Sequence, residues 1–73
     1  MPKLPVVSGD ELVKVLKKLG YEIDRTHGSH IMLRAASRPP LTVPRHRELD
    51  RGTLRGILRD AGLSVDELLE LLK

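Results

Sequence analysis

Tyr21-Glu22-Ile23-Asp24-Arg25-Thr26, His27-Gly28-Ser29 and His30-Ile31-Met32-Leu33-Arg34 follow one another without a break, and their reading decides the fold. The first run alternates with period two, as a half-buried strand does. The middle triplet is a turn, and the last run alternates again, with Ile31 and Leu33 on one face and His30, Met32 and Arg34 on the other. Burying His30 instead would expose two large aliphatic side chains, at about 1.5–3 kcal/mol each. The histidine is therefore expected on the open side of a sheet whose other side faces the core. Downstream, Ala35 to Pro40 reads as a loop, Leu41-Thr42-Val43 as a short third strand ended by Pro44, and Pro44 to Asp50 as a polar loop. Short connections favour an antiparallel meander.

Helical patterns flank this meander. Ser8-Gly9-Asp10-Glu11 is a capping box, and Leu12, Val13, Leu16 and Leu19 then recur at helical spacing up to Gly20, predicting a helix over 9–19. A second helix is expected to begin near Gly52-Thr53, burying Leu54, Ile57, Leu58 and Ala61 and stopping at Gly62. Gly56 inside it is a poor helix former and marks a position of close packing. A second capping box, Ser64-Val65-Asp66-Glu67, opens a third helix with Leu68, Leu69, Leu71 and Leu72. The order α-β-β-β-α(-α) predicts an α+β two-layer sandwich: a three-stranded antiparallel sheet with the helices on one face. This layout resembles a double-stranded-RNA-binding domain with an extra helix. The 73 residues form one domain.

Charge and composition narrow the partners. The net charge of +3 points to an anionic partner such as nucleic acid or an acidic protein. Tyr21 is the only aromatic residue, so single-strand recognition by stacking bases on several rings is excluded. An RNA partner would be read through backbone, 2′-hydroxyls and shape. There are no cysteines, which removes disulfides and thiolate zinc sites and fits a reducing cytoplasm. No apolar run approaches the roughly 18–20 residues that span a membrane. Met1-Pro2-Lys3-Leu4-Pro5 has neither the length nor the apolarity of a signal peptide, so a cytoplasmic location is expected.

The candidate chemistry centres on His30. An exposed imidazole ordinarily titrates near neutrality, at about 6.5, and is the natural proton carrier for RNA cleavage. Gly28 permits a positive φ, so the Gly28-Ser29 turn can turn amides towards a phosphate. Arg25 and Arg34 lie near the hairpin, Arg38, Arg45 and Arg47 in loops, and Arg51, Arg55 and Arg59 recur every fourth residue along the second helix. Cleavage also needs a second proton carrier, and the sequence does not choose between His27 and His46. His27, His30 and His46 as metal ligands are disfavoured, because no cysteine or carboxylate cluster completes a site. Ala61-Gly62-Leu63-Ser64 between two helices has the look of a DNA-binding helix-turn-helix. The would-be recognition helix, however, carries Asp66, Glu67 and Glu70, which phosphates repel, so direct DNA binding is not expected.

Four motifs occur in order: Leu16-Lys17-Lys18-Leu19-Gly20-Tyr21, Gly28-Ser29-His30, Val43-Pro44-Arg45-His46, and the block from Gly52 to Ser64. In these, and over Ser8 to Leu72, the chain resembles the HicA family of toxin–antitoxin ribonucleases. The resemblance implies a double-stranded-RNA-binding-domain-like fold and a metal-independent mRNA endoribonuclease whose catalytic residue is the histidine of the Gly-Ser-His motif, here His30. It also implies inhibition by a HicB-type antitoxin protein, and no cofactor. The RNA-contacting set expected beside His30 is Gly28, Ser29, Arg25, Arg34, Arg45, Arg55 and Arg59. Two readings of other classes stand beside it: a non-catalytic RNA-binding module, and a purely structural half of a protein complex.

Overall fold

A computed structural model describes residues 3–73; Met1 and Pro2 of the opening stretch lie outside the described residues. The elements run α1 (Gly9–Lys18), β1 (Glu22–His27), β2 (His30–Ala35), β3 (Arg38–Pro44), α2 (Arg51–Ala61) and α3 (Val65–Leu71). The strands form one antiparallel sheet in the order β1-β2-β3, and α1 and α2 pack against β3 on one face. The α+β sandwich expected from the sequence is thus observed.

Local chemistry explains the boundaries. Ser8 Oγ accepts from the Glu11 N–H at 3.0 Å while Glu11 Oε1 accepts from the Ser8 N–H at 2.9 Å, so the first capping box is complete. At the other end of α1 the Tyr21 N–H donates to the Leu16 carbonyl and the Gly20 N–H to that of Lys17, closing the helix through Gly20. Ser64 and Glu67 repeat the box at α3. The second helix starts earlier than the sequence pattern suggests: Asp50 is its N-cap, accepting from the Thr53 N–H at 2.6 Å, so Arg51 is already helical.

The core is one apolar layer. Ile31 and Leu33 from β2, Leu41 and Val43 from β3, Leu12, Val13, Val15 and Leu16 from α1, and Leu54, Ile57, Leu58 and Ala61 from α2 are all buried. From α3 only Leu68 is fully buried; Leu71 and Leu72 pack at the margin. Tyr21 is buried just before β1, not within it, and its hydroxyl donates to the Pro39 carbonyl at 3.1 Å.

Three further expectations need correction. First, β3 spans Arg38 to Pro44, well beyond Leu41–Val43, joined to β2 by a two-residue turn at 36–37. Its prolines are tolerated because β3 is an edge strand and Pro39-Pro40 fall where the register with β2 slips. Second, β1 is exposed along its whole length, with Ile23 44% accessible, because the helices cover β3 and β2 and the sheet projects beyond them. Third, close packing is not at Gly56, where an added Cβ would meet only the Arg59 guanidinium at 4.0 Å. It is at Gly9, where a Cβ would overlap the Pro44 carbonyl oxygen and lie 3.1 Å from the Arg45 Cα.

Candidate functional site

His30 opens β2 and is exposed, while its neighbours Ile31 and Leu33 are 5% and 0% accessible. The imidazole thus stands on the face of the sheet away from the helices, as the parity of the strand requires. Its backbone partners are His27 on β1 and Pro44 on β3. Between His27 and His30 the chain turns in two residues, Gly28 and Ser29. Gly28 has φ 61 and Ser29 a negative φ, the signs of a type II′ hairpin turn. Such a turn favours glycine at its first central position, which accounts for Gly28.

The bare face can be read from the register. Residues directly opposed across antiparallel strands share a face. His30, Met32 and Arg34 of β2 therefore stand beside His27, Arg25 and Glu22 of β1 and beside Pro44 and Thr42 of β3. One irregularity produces this set. Ile23 pairs with Leu33 but Arg25 pairs with Met32, so Asp24 is an extra residue, a β-bulge. Strict alternation from Ile23 would turn Arg25 and His27 to the helix side; the bulge reverses the parity and brings both out beside His30. Asp24 lies between the two arginines, with carboxylate oxygens 3.9 Å from Arg25 Nε and 3.9 Å from Arg34 NH1. These residues, with Met32 and Thr42, line a shallow depression of about 460 Å³ on the bare face.

A second strand of support runs under the turn. The Arg45 N–H donates to the Ser29 carbonyl at 2.6 Å, so the chain leaving β3 is tied to the Gly28-Ser29 turn. The same segment is anchored to α1: the Gly9 N–H donates to the His46 carbonyl at 2.9 Å, and Arg45 Nε donates to Asp10 Oδ1 at 3.2 Å. Gly9 permits this approach because a side chain there would strike the backbone of Pro44 and Arg45. Ser8, Gly9, Pro44, Arg45, Ser29 and His30 are thereby held as one corner of the molecule.

The expected arginines divide into two groups. Arg25 and Arg34 lie on the bare face, and Arg45 leaves its edge beside the turn. Arg55 and Arg59 are exposed on α2, whose apolar side faces the sheet, so the helix layer separates them from His30. Arg38 holds the structure together elsewhere, since its guanidinium donates to the Ala61 carbonyl at the end of α2 and its charge reaches Glu67. The histidines divide as well. His46 lies by the α2 cap. There the hydrogen bonds from the Thr53 backbone and side chain hold the Asp50 carboxyl below its usual range, and the charge of His46 adds to the effect. The Ser64 backbone and side-chain bonds, followed by the charge of Arg38, do the same for Glu67. Among the described residues no three His, Asp or Glu side chains converge as a metal-binding group.

His27 is the residue that sequence reasoning placed incompletely. Taking 27–29 together as the turn hid its partner; a two-residue Gly-Ser turn makes His27 and His30 cross-strand neighbours by construction. The bulge at Asp24 has no such signal in the sequence.

The chain is thus a small α+β sandwich with one helix-covered sheet face and one bare face that carries an exposed hairpin histidine among arginines. Residues 9–63 match the family described as HicA toxin of bacterial toxin–antitoxin, and the chain belongs to that family. A chain of a solved structure, described as a toxin–antitoxin complex from Streptococcus pneumoniae, is 38% identical, with a TM-score of 0.70 over 78% of this chain and 98% of that one. No curated protein matches.

Proposed function

We propose that this HicA-family toxin is a metal-independent endoribonuclease that cleaves mRNA and uses His30 as a general acid or base. The observation that carries the reading is the placement of His30: an exposed imidazole on the bare sheet face, its direction set by the buried Ile31 and Leu33 that follow it in β2, and preceded by the Gly28-Ser29 turn. Cleavage of RNA without metal-activated water proceeds by attack of the 2′-oxygen on the adjacent phosphorus. The 2′-OH proton goes to a base, the bond to the 5′-oxygen breaks, and that oxygen takes a proton from an acid. The products are a 2′,3′-cyclic phosphate and a 5′-hydroxyl. Arg25, Arg34 and Arg45 supply cationic charge around the developing phosphorane, and the Gly28-Ser29 turn positions the phosphate.

A HicB-type antitoxin is the protein partner in this reading. It would silence the toxin by covering the bare face, where Met32 offers a half-buried apolar contact among polar neighbours. The similarity to a chain from a toxin–antitoxin complex supports such a partner. No helix of the described residues is long and apolar enough to cross a membrane.

The test is end-mapping of labelled RNA after incubation with purified toxin in the presence of a chelator. Cyclic phosphate and 5′-hydroxyl ends from wild type, and intact RNA from His30→Gln at equal folded concentration, are expected. Salt-dependent binding with no new ends would instead establish a non-catalytic RNA-binding module. Equal cleavage by His30→Gln would remove His30 from the chemistry.

A further inference from the structure

We propose that His27 is the second proton-transfer group of the cleavage reaction, so that His27 and His30 act as an acid–base pair astride the scissile phosphate. This rests on the ribonuclease reading above and adds the participant which that reading lacks. In-line displacement needs two proton carriers on opposite sides of one phosphate, and a lone histidine supplies one of them.

The geometry singles out His27. It is the backbone partner of His30, and side chains of directly opposed residues start about 4.5–5.5 Å apart at Cβ. Two imidazoles on such stems can diverge to reach the 2′-oxygen and the 5′-oxygen of one linkage. Both residues are exposed, and both are on the bare face because the Asp24 bulge resets the parity of β1. Among the described residues, no other on that face suits this role. Arg25 and Arg34 do not release protons near neutrality. Asp24 is engaged by both arginines, and Glu22 pairs with Arg34 at the far end of the strand. His46 lies outside the sheet, two residues past the end of β3, on the segment whose backbone is tied to Gly9 of α1.

The balance is complete without an outside reactant. One imidazole, neutral at the start, takes the 2′-OH proton as the new O2′–P bond forms. The other, protonated at the start, gives its proton to the 5′-oxygen as the P–O5′ bond breaks. The pair ends with its charge exchanged and returns to its starting state through solvent.

The test compares two versions of one oligoribonucleotide containing the linkage that wild type cuts. One carries the natural 5′-oxygen, the other a bridging 5′-sulfur, which leaves as a thiolate and needs no acid. Wild type, His27→Gln and His30→Gln are assayed on both, with folding checked by circular dichroism. We expect His27→Gln to lose about 10²–10⁴-fold in kcat on the natural linkage. On the sulfur linkage, whichever histidine is the acid becomes dispensable when substituted, and the other does not. Wild type should show a bell-shaped pH profile in kcat/KM, and each variant should lose one limb. Glu22, Asp24, Arg25, Arg34 and Arg45, the charged groups around the pair, are unchanged in both variants, so a missing limb reports the missing imidazole.

Three outcomes would overturn the proposal. Near wild-type cleavage by His27→Gln with an inactive His30→Gln would leave a one-histidine ribonuclease and remove His27. A raised KM with unchanged kcat in His27→Gln would make it a phosphate contact and not a proton carrier. Absence of cleavage by wild type would remove the ribonuclease reading itself, a result distinct from the other two.

Discussion

Replacing Gly9 with alanine is expected to damage this protein, although alanine is the better helix former. Gly9 is the first residue of α1, and its N–H donates to the His46 carbonyl at 2.9 Å. A Cβ there would overlap the Pro44 carbonyl oxygen and press on the Arg45 Cα at 3.1 Å. Both neighbours are backbone atoms, so no rotamer change relieves the contact; either α1 or the Pro44–His46 segment must move. Overpacking of this kind costs about 1–3 kcal/mol, and the strained hydrogen bond adds about 0.5–1.5 kcal/mol. The gain in helix propensity returns at most about 1 kcal/mol. The net loss is about 0.5–3.5 kcal/mol, and each kcal/mol lowers Tm by about 4–8 °C in a domain of this size. The control is Gly56→Ala, in the interior of α2, where an added methyl meets only a guanidinium at 4.0 Å. That change should raise stability by about 0.5–1 kcal/mol. Thermal melts followed by far-ultraviolet circular dichroism measure both. A Gly9→Ala Tm equal to or above wild type would refute the close-approach argument and with it the anchoring of the Arg45 segment.

Acid should destabilise the fold through its helix caps: Asp50 and Glu67 have folded pKa values held below their ordinary ones, so their contribution is whole above the ordinary carboxylate range and fades as pH falls through the folded values. Asp50→Asn, which still caps but does not titrate, should flatten the acid limb of Tm against pH; an unchanged limb would contradict this. Tyr21→Phe removes the hydroxyl bond to the Pro39 carbonyl and should cost about 0.5–1.5 kcal/mol in denaturant melts. Leu33→Ala, emptying a fully buried site, should cost about 2–5 kcal/mol in the same melts. Arg45→Ala should lower the salt dependence of RNA affinity by about one phosphate contact while Arg59→Ala leaves it unchanged, and equal slopes would place α2 on the RNA side after all.

What was legible in the sequence followed from strong local chemistry. Two Ser-x-x-Glu boxes announced α1 and α3, and the alternation of His30 to Arg34 decided which face of β2 is bare. The Asp50 cap was hidden because aspartate in a polar loop looks like any other loop residue until Thr53 is seen to be helical. The length of β3 was hidden by Arg38-Pro39-Pro40, which read as a strand breaker but occupy an irregular edge. The exposure of β1 depends on how far the helices reach across the sheet, which no local pattern encodes. The partition of the arginines had the same origin: Arg55 and Arg59 keep the spacing of a basic ridge, but the helix layer stands between them and the hairpin.

The bulge in β1 separates the demands of stability from those of chemistry. Ile31 and Leu33 of β2 and Leu41 and Val43 of β3 turn inward as aliphatic side chains of the common core, and Arg38 reaches the Ala61 carbonyl of α2 on the same side, so the sheet is stabilised chiefly through its helix-covered face. β1 contributes almost nothing to that core and is held chiefly by its backbone pairing with β2. An extra residue in such a strand costs little packing, because there is little packing to lose. In β2 the same insertion would move Ile31 or Leu33 out of the core, at about 1.5–3 kcal/mol for each side chain. The strand that can accept a register change cheaply is therefore the one that makes it, and the change carries Arg25 and His27 to the side of His30. It follows that substitutions of His27 and His30 should leave the melting temperature close to wild type, since neither side chain enters the core, and any loss of activity in those variants reports on chemistry and not on folding.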